Sequence, residues 1–483
     1  MSQGEDYSLT QSAGLVGISK LVNILGLLIA SVILTRLLNR AEYGNYEQVW
    51  MVYNSFLPLV GNSISSSVYY FSSRSNKLRI YSGAAVVTAS IGVVFGAALA
   101  VLAPAIAHWF RSDNLIEYLR IFAVYSVLAS PSLIFESVFV TEKKVGLLVA
   151  GNAVLSVLFA AGILLSAFVF HNLTAVFISI AIVGGAKSLF LMQYLFTAKT
   201  GSAVGGLNMR AQIIYALPIF VSGIAGTISK QVDRYLVSIF LSADKFAIYS
   251  IGSKDVPFIS IITGSASAVL FPVFSELGAT DARERFVELW RNAMSKTGLF
   301  LLPLMFFLFF TAKDFMVFFF GSKYSASAAI FRIFLLLLPL RLAFYSQALL
   351  SLGKQRLYMY SSTVEVILSG MVSYLMLRLY GMEGAALGKV LVSYVEVAFL
   401  VSVLLVILKS KVTAFFPWAK LSKIVAISVA GIAPLFFLRN LIDNIYLRFV
   451  TEGLTFVIVF GLIALGAGLV RIVDLRKLHF EVN

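Results

Sequence analysis

The sequence has no cysteine, only three histidines and few charged residues. Without cysteine the chain cannot form disulfides, thiolate metal sites or cysteine nucleophiles. His108, His171 and His479 are far apart and show no metal-ligand spacing. The composition therefore argues against a metalloenzyme. We predict no catalytic residues, no metal and no cofactor.

Charged residues make up 13% of the 483 residues, and hydrophobic residues make up 59%. A soluble protein is nearer half apolar and about a quarter charged. The mean hydropathy is +0.92. The apolar residues gather in runs of about twenty, which is the length that crosses a bilayer as a helix. The sequence therefore predicts an all-α integral membrane protein.

We count about fourteen predicted transmembrane helices, arranged as two groups of six and a final pair. The predicted spans are 12–37, 46–71, 81–109, 115–140, 146–170, 174–198, 212–241, 246–275, 297–320, 326–351, 357–380, 384–408, 421–440 and 451–471. The predicted domains are a first bundle at 1–200, a second bundle at 201–412, and the extra pair with a cytoplasmic tail at 413–483.

The net charge of +15 is concentrated in alternate loops between the apolar runs. This is the positive-inside pattern of membrane proteins. It predicts a multi-pass protein of the cytoplasmic (inner) membrane with both termini in the cytoplasm, and it argues against nucleic acid as a partner.

The Gly- and Ser-rich loop Ala198–Arg210 is typical of a flexible join. Residues Asp281–Lys296 have one apolar face, which predicts an amphipathic helix on the cytoplasmic leaflet or a solvated linker helix.

Four segments have the order and spacing of family landmarks. They are "LTRLLNRAEYGNY" (Leu34–Tyr46), "LPIFVSGIAGTISKQVDRYLVSIFLSADKFAIYSIGSK" (Leu217–Lys254), "FFFGSKYSASAAIFRIFLLLLPLR" (Phe318–Arg341) and "LYGMEGAALGKVLVSY" (Leu379–Tyr394). On these segments the chain resembles the Wzx-type lipid-linked oligosaccharide flippases. These form the polysaccharide-transport branch of the MOP (multidrug/oligosaccharidyl-lipid/polysaccharide) exporter superfamily.

The resemblance implies a MOP/MATE-like fold in which two six-helix bundles surround a central cavity that opens alternately to each side. It implies a cargo of oligosaccharide on undecaprenyl pyrophosphate (an O-antigen, capsule or exopolysaccharide unit), moved from the cytoplasmic to the periplasmic leaflet. The implied partners are this lipid-linked substrate, the bilayer, a polysaccharide polymerase and glycosyltransferases. Lipid II flippases of the same superfamily have fourteen helices, so lipid II remains an alternative cargo. A cation-coupled multidrug exporter and a non-transporting scaffold are further alternatives.

Several charged residues lie inside the apolar runs, where an isolated charge costs from ~2.5 to more than 10 kcal/mol. Such residues usually face a cavity or a partner. Because pyrophosphate needs cations to replace its water in a membrane, we predict a cationic substrate site. Its predicted members are Lys20, Asn23, Lys230, Arg234, Lys254 and Arg341. Asp233 and Asp255 are the predicted coupling or gating residues, and Tyr46, Tyr53, Tyr69 and Tyr70 are candidate sugar contacts.

Ion pairing is the alternative interpretation of these charges. Lys230 and Asp233 are spaced for an i,i+3 pair, and Arg234 could bridge to Asp255 on the next helix. Lys187, Lys389 and Glu396 are interpreted as a structural set between helices, and Glu136 and Glu365 as satisfied polar groups. Arg332 and Arg341 point to opposite sides of an ideal helix unless Pro339 bends it.

Overall fold

The computed structural model describes residues 26–198, 209–280 and 282–469, and every regular element in these ranges is helical. Lys20 and Asn23 lie outside the described residues. The α-helices are α1 (described over Gly26–Leu37), α2 (Arg40–Asn54), α3 (Leu57–Ser72), α4 (Lys77–Trp109), α5 (Leu115–Ala129), α6 (Phe135–Thr141), α7 (Val145–Phe170), α8 (Leu173–Ala198), α9 (Met209–Phe240), α10 (Ala243–Gly252), α11 (Pro257–Ala279), α12 (Arg283–Phe320), α13 (Ser327–Leu335), α14 (Tyr345–Ser351), α15 (Gln355–Ile407), α16 (Val412–Phe415), α17 (Trp418–Leu441) and α18 (Ile445–Gly466). Short 3₁₀ segments cover Ser130–Ile134, Ser322–Tyr324 and Leu338–Leu342.

Within the described ranges, eleven helical stretches are long and apolar enough to cross a membrane. Many large apolar side chains on them are exposed, such as Val101 at 77% and Phe437 at 73%. Because a protein in water would bury such side chains, these surfaces fit a lipid environment. The prediction of an all-α, multi-pass membrane protein is confirmed. The count of fourteen spans stays a prediction.

Four of the predicted continuous spans are interrupted in the structure. The span 115–140 is divided by the 3₁₀ segment Ser130–Ile134 between α5 and α6. The predicted span 46–71 is divided at Ser55–Phe56 between α2 and α3, and the span 246–275 is divided at Ser253–Val256 between α10 and α11. The span 326–351 is divided by the 3₁₀ segment Leu338–Leu342, which contains Pro339. Proline occupies one of the first two positions of α3, of α11 and of the 3₁₀ segments Ser130–Ile134 and Leu338–Leu342, where its missing N–H is harmless.

The long helix α15 contains a reversal that joins two predicted spans, 357–380 and 384–408. Gly381 has φ +67° and ψ −147°, outside the helical region. A side chain at Gly384 would come within 2.0 Å of the Met376 carbonyl oxygen, so the two arms are in close contact. Glycine is therefore required twice at this turn, once for its backbone angles and once for its small size.

The chain divides into two compact units. The first contains the described residues of Met1–Gln231 and Ser238–Ala247, and the second contains Val232–Val237 and the described residues from Ile248 onwards. Helix α9 contributes to both units. The domain limits predicted from the sequence stay predictions. The core of the first unit contains Tyr81, Phe135 and Phe139 with aliphatic residues of α3, α4 and α8.

The predicted amphipathic segment is part of α12, which continues for 38 residues. Its apolar face is covered by protein: the Phe286 ring stacks on Phe274 at 4.6 Å between centroids, and Trp290 lies 4.9 Å from Phe415. Phe286 and Trp290 are each 1% exposed. The prediction that this face lies on the lipid leaflet was therefore wrong, because aromatic partners on α11 and α16 bury it.

Candidate functional site

The Asp233–Arg234 pair of α9 binds two consecutive residues of α10. The Tyr249 hydroxyl donates to Asp233 Oδ2 at 2.6 Å, and Arg234 Nη2 donates to the Ser250 hydroxyl at 3.1 Å. Asp233 is 2% exposed, and its Oδ1 is buried without a hydrogen-bond partner among the described residues. Hydrogen bonding to α10 thus holds Asp233 buried and Arg234 half-buried beside it.

Lys254 and Asp255 lie in the interruption between α10 and α11. The predicted span 246–275 placed both residues within one continuous helix, but the helix ends at Gly252 and restarts at Pro257. Asp255 Oδ1 pairs with Arg341 Nη2 at 2.8 Å. The ion-pairing interpretation proposed Arg234 as the partner of Asp255. The structure pairs Asp255 with Arg341, a predicted site residue 86 positions away in sequence.

This ion pair is open to solvent, since the Arg341 side chain is 32% exposed and that of Asp255 is 62% exposed. Arg341 belongs to the 3₁₀ segment that interrupts the predicted tenth span, whereas Arg332 precedes the interruption and donates from Nε to the Phe309 carbonyl at 3.0 Å. The break around Pro339 therefore separates the two arginines into different environments. Lys254, which directly precedes Asp255 in sequence, is half-buried.

Arg341 also lines a cavity of about 550 Å³ in the second unit. Helix α11 contributes Ser260, Thr263 and Ser267 to its wall, at the three- and four-residue spacing of one helical face. Arg341 and Glu396 also line this cavity. A cavity with a guanidinium, a carboxylate and several hydroxyls can bind an anionic, hydroxyl-rich molecule.

Glu396 connects this cavity with a smaller apolar pocket of about 230 Å³, which Glu365 also lines. Across the reversal at Gly381, Lys389 Nζ donates to Glu365 Oε1 at 2.5 Å. The Lys389 residue is 9% exposed and Glu365 is 6% exposed. The close approach of the two α15 arms therefore forms a buried ion pair that keeps both charges satisfied.

The remaining predicted site residue within the described ranges is Lys230. It is exposed on α9. The candidate sugar contacts fall into two groups. Tyr46 and Tyr53 are 7% and 5% exposed and pack in an aromatic cluster, whereas Tyr69 and Tyr70 are exposed at 43% and 39%.

A charged network on the C-terminal helix pair was not recognised in the sequence. Asp314 of α12 accepts from Arg439 of α17 at 3.0 Å and from Arg448 of α18 at 2.7 Å. Arg439 also pairs with Glu452 at 3.0 Å. The side chains of Asp314 and Glu452 are 3% and 0% exposed. The presence of charges near the ends of three apolar runs was the only signal that could have indicated this network.

Comparison with known proteins identifies the family. Residues 33–329 match the family described as "Polysaccharide biosynthesis protein". The chain belongs to this family. The resemblance recognised in the sequence is therefore confirmed.

The fold is shared with solved membrane transporters. The lipid II flippase MurJ in an inward closed conformation aligns with a TM-score of 0.73 at 16% identity, over 93% of this chain and 97% of MurJ. An inward-facing multidrug resistance MATE family transporter of the MOP superfamily aligns with a TM-score of 0.64 at 13% identity, over 83% and 99% of the two chains. The Vibrio cholerae MATE transporter VcmN in its bent form aligns at 0.53 and 14% identity, over 84% and 100%. No curated protein sequence matches the chain.

Proposed function

We propose that this family member is a flippase for an undecaprenyl-pyrophosphate-linked oligosaccharide. The cargo would move from the cytoplasmic to the periplasmic leaflet of the inner membrane by alternating access, and both termini would be cytoplasmic. The observation that carries the proposal is the cavity of about 550 Å³ that Arg341 lines in the membrane-embedded second unit. Its chemistry suits a phosphorylated, hydroxyl-rich lipid headgroup, and the family match supports a role in polysaccharide biosynthesis.

In this proposal Arg341 binds the pyrophosphate. A guanidinium presents two parallel N–H groups that match two phosphate oxygens, and it stays charged in a membrane-embedded cavity. The hydroxyls of Ser260, Thr263 and Ser267 offer further hydrogen bonds to phosphate or sugar oxygens. Lys20, Asn23, Lys230, Arg234 and Lys254 remain proposed as further substrate contacts.

Asp255 acts as a gate in the same proposal. The Asp255 carboxylate accepts from Arg341 Nη2 at 2.8 Å, at the edge of the guanidinium. A pyrophosphate would compete with Asp255 for the N–H groups of the guanidinium, because both anions bind them. Release of Asp255 would then couple substrate binding to movement of the interruption between α10 and α11. Buried Asp233, bound to Tyr249, is the second proposed coupling residue.

The decisive experiment is transport by purified protein in vesicles that contain the lipid-linked oligosaccharide extracted from cells making the polysaccharide. We expect the wild-type chain to move the lipid between leaflets and Arg341→Ala to reduce the rate at least about ten-fold, because a hydrogen bond to a charged group contributes about 1.5–3 kcal/mol. Arg356→Ala is the matched control, since Arg356 is an exposed arginine of the same unit outside the cavity lining. Equal rates for Arg341→Ala and the control would contradict the proposal.

Lipid II is the second candidate cargo, favoured by the fold similarity to MurJ over nearly the whole chain. Vesicles containing lipid II in place of the lipid-linked oligosaccharide separate the two cargoes. The proposal predicts faster movement of the lipid-linked oligosaccharide. Movement of lipid II alone would replace it with the lipid II assignment. Polymerase and glycosyltransferase partners would be tested by co-purification with the full-length chain.

A further inference from the structure

The first unit contains a separate cavity of about 340 Å³. Its wall is formed by residues of α1, α2, α5, α6, α7 and α8, together with the 3₁₀ segment that joins α5 and α6. This volume lies at the small end of the roughly 300–1,000 Å³ typical of ligand pockets. The cavity therefore suits a ligand of one or two rings rather than a long lipid tail.

Aromatic rings form one side of this cavity. Trp50, Tyr53, Tyr125 and Phe159 line it. The Trp50 ring meets Tyr53 edge-on at 5.5 Å and 88° and meets Tyr125 at 5.9 Å and 71°. These two contacts hold the Trp50 ring in the edge-to-face geometry that aromatic side chains prefer. The rings form a rigid surface on which a flat or chair-shaped ring can rest.

Polar groups of both charge signs complete the wall. Lys187 and Glu136 line the cavity and are close enough for their charges to interact, and Asn152 contributes an amide. The Lys187 ammonium lies 4.9 Å from the centroid of the Phe135 ring. Ionisable residues within membrane spans are costly and usually face a cavity or a partner. Together these side chains offer hydrogen-bond donors and acceptors beside the aromatic surface.

The combination identifies the class of ligand. In this wall Lys187 can donate to a sugar hydroxyl and the Glu136 carboxylate can accept from one. A sugar ring has an apolar face of C–H groups that packs on aromatic rings, and its hydroxyls both donate and accept hydrogen bonds. A neutral pyranose matches all of these features.

We propose that this cavity is a subsite for one sugar ring of the oligosaccharide cargo. The inference rests on the proposed function, because that function supplies an oligosaccharide. It assigns sugar recognition to the first unit through Trp50, Tyr125 and Phe159. Pyrophosphate recognition belongs to Arg341 in the second unit.

The test uses Trp50 as an optical probe in the full-length protein. The chain has four tryptophans, so the changes Trp109→Phe, Trp290→Phe and Trp418→Phe leave Trp50 as the single fluorophore. The probe ligands are the lipid-linked oligosaccharide from producing cells, the free oligosaccharide released from it by mild acid, and undecaprenyl phosphate. Thermal unfolding of the variant in detergent establishes that the protein is folded before titration.

We expect the free oligosaccharide to change Trp50 fluorescence in a saturable manner, and undecaprenyl phosphate to cause no such change. Adding Phe159→Ala should weaken the apparent affinity for the free oligosaccharide about three- to ten-fold, as expected for loss of one aromatic contact. Phe168→Ala is the matched control on α7, because Phe168 is 67% exposed and does not line the cavity. Arg356→Ala, at an exposed position outside both cavities, should leave this affinity unchanged.

Three results would overturn the subsite. They are a fluorescence response to undecaprenyl phosphate equal to that of the lipid-linked oligosaccharide, no response to free oligosaccharide, and an unchanged affinity in Phe159→Ala.

The vesicle assay keeps this test separate from the proposed function. Transport without a Trp50 response would reject the subsite alone. A saturable response without transport would reject the flippase proposal and retain a sugar-binding cavity.

Discussion

The second unit contains two charged clusters that differ in exposure. At the C-terminal helix pair, Asp314 and Glu452 are 3% and 0% exposed and are enclosed by Arg439 and Arg448. At the α10–α11 interruption, the Asp255 side chain is 62% exposed and is bound only through Arg341 among the described ion pairs. In the first cluster both carboxylates are buried, and each accepts from an arginine of the same cluster. The second leaves charge accessible to a ligand.

The difference teaches how to separate charges that hold the fold from charges that are available for function. Removing one member of an enclosed pair strands the opposite charge in a medium that solvates it poorly. Removing one member of an exposed pair changes stability little, because water and ions replace the partner. Stability measurements on matched variants can therefore sharpen or break this distinction.

The largest expected effect on stability is that of Asp314→Ala. Two arginines, Arg439 and Arg448, would lose a buried carboxylate at once. We expect a loss of about 3–5 kcal/mol in the free energy of unfolding, as for other buried pairs that lose one partner. Chemical unfolding of the purified chain in detergent measures this loss. Asp443→Ala is the control, because Asp443 is exposed in the loop between α17 and α18. An equally small effect of both changes would show that the network does not stabilise the fold.

The buried pair across the Gly381 reversal should show the next largest effect. Lys389→Met leaves Glu365 without its partner at 2.5 Å, which should lower the free energy of unfolding by about 3 kcal/mol. The double variant Glu365→Gln/Lys389→Met should recover most of the loss, because neither residue is then charged. Unfolding of the wild-type chain, the single variants Lys389→Met and Glu365→Gln, and the double variant forms a double-mutant cycle. Additive losses would contradict the pairing.

The smallest expected effect on stability is that of Asp255→Asn, at less than about 1 kcal/mol, because the pair is exposed. Its effect on binding should be in the opposite direction. Freed from Asp255, Arg341 should bind undecaprenyl pyrophosphate about three- to ten-fold more tightly, which corresponds to roughly 1 kcal/mol. Binding titrations with the purified variant measure this change. Weaker binding would argue that Asp255 positions Arg341 and does not compete with the ligand.

The sequence was sufficient for the fold class, because runs of about twenty apolar residues require helices in a membrane. It was less informative about interruptions. Pro257 and Pro339 were visible, yet the apolar runs around them hid the ends of the helices. Pairing was harder still, since Asp255 and Arg341 are 86 residues apart and their contact depends on how the helices pack.

The structural roles of individual charged residues were also hard to predict where they depend on contacts between residues far apart in sequence. Glu365 and Lys389 were both expected to be structurally satisfied, but their mutual bond depends on the reversal at Gly381. Asp314 was overlooked because its arginine partners lie more than a hundred residues away in sequence. Local periodicity reports the face on which a residue lies. It carries no information about which distant residue will meet that face.

The central claim is that the exposed cluster binds the cargo while the enclosed cluster holds the fold. The most direct measurement compares Arg341→Ala with Arg439→Ala, recording for each the affinity for undecaprenyl pyrophosphate per folded molecule and the unfolding midpoint. We predict that Arg341→Ala weakens binding about ten- to a hundred-fold with little change in the midpoint. Arg439→Ala should lower the midpoint and leave the affinity of the folded protein unchanged. Equal affinities for the two variants, or weaker binding only in Arg439→Ala, would contradict the claim.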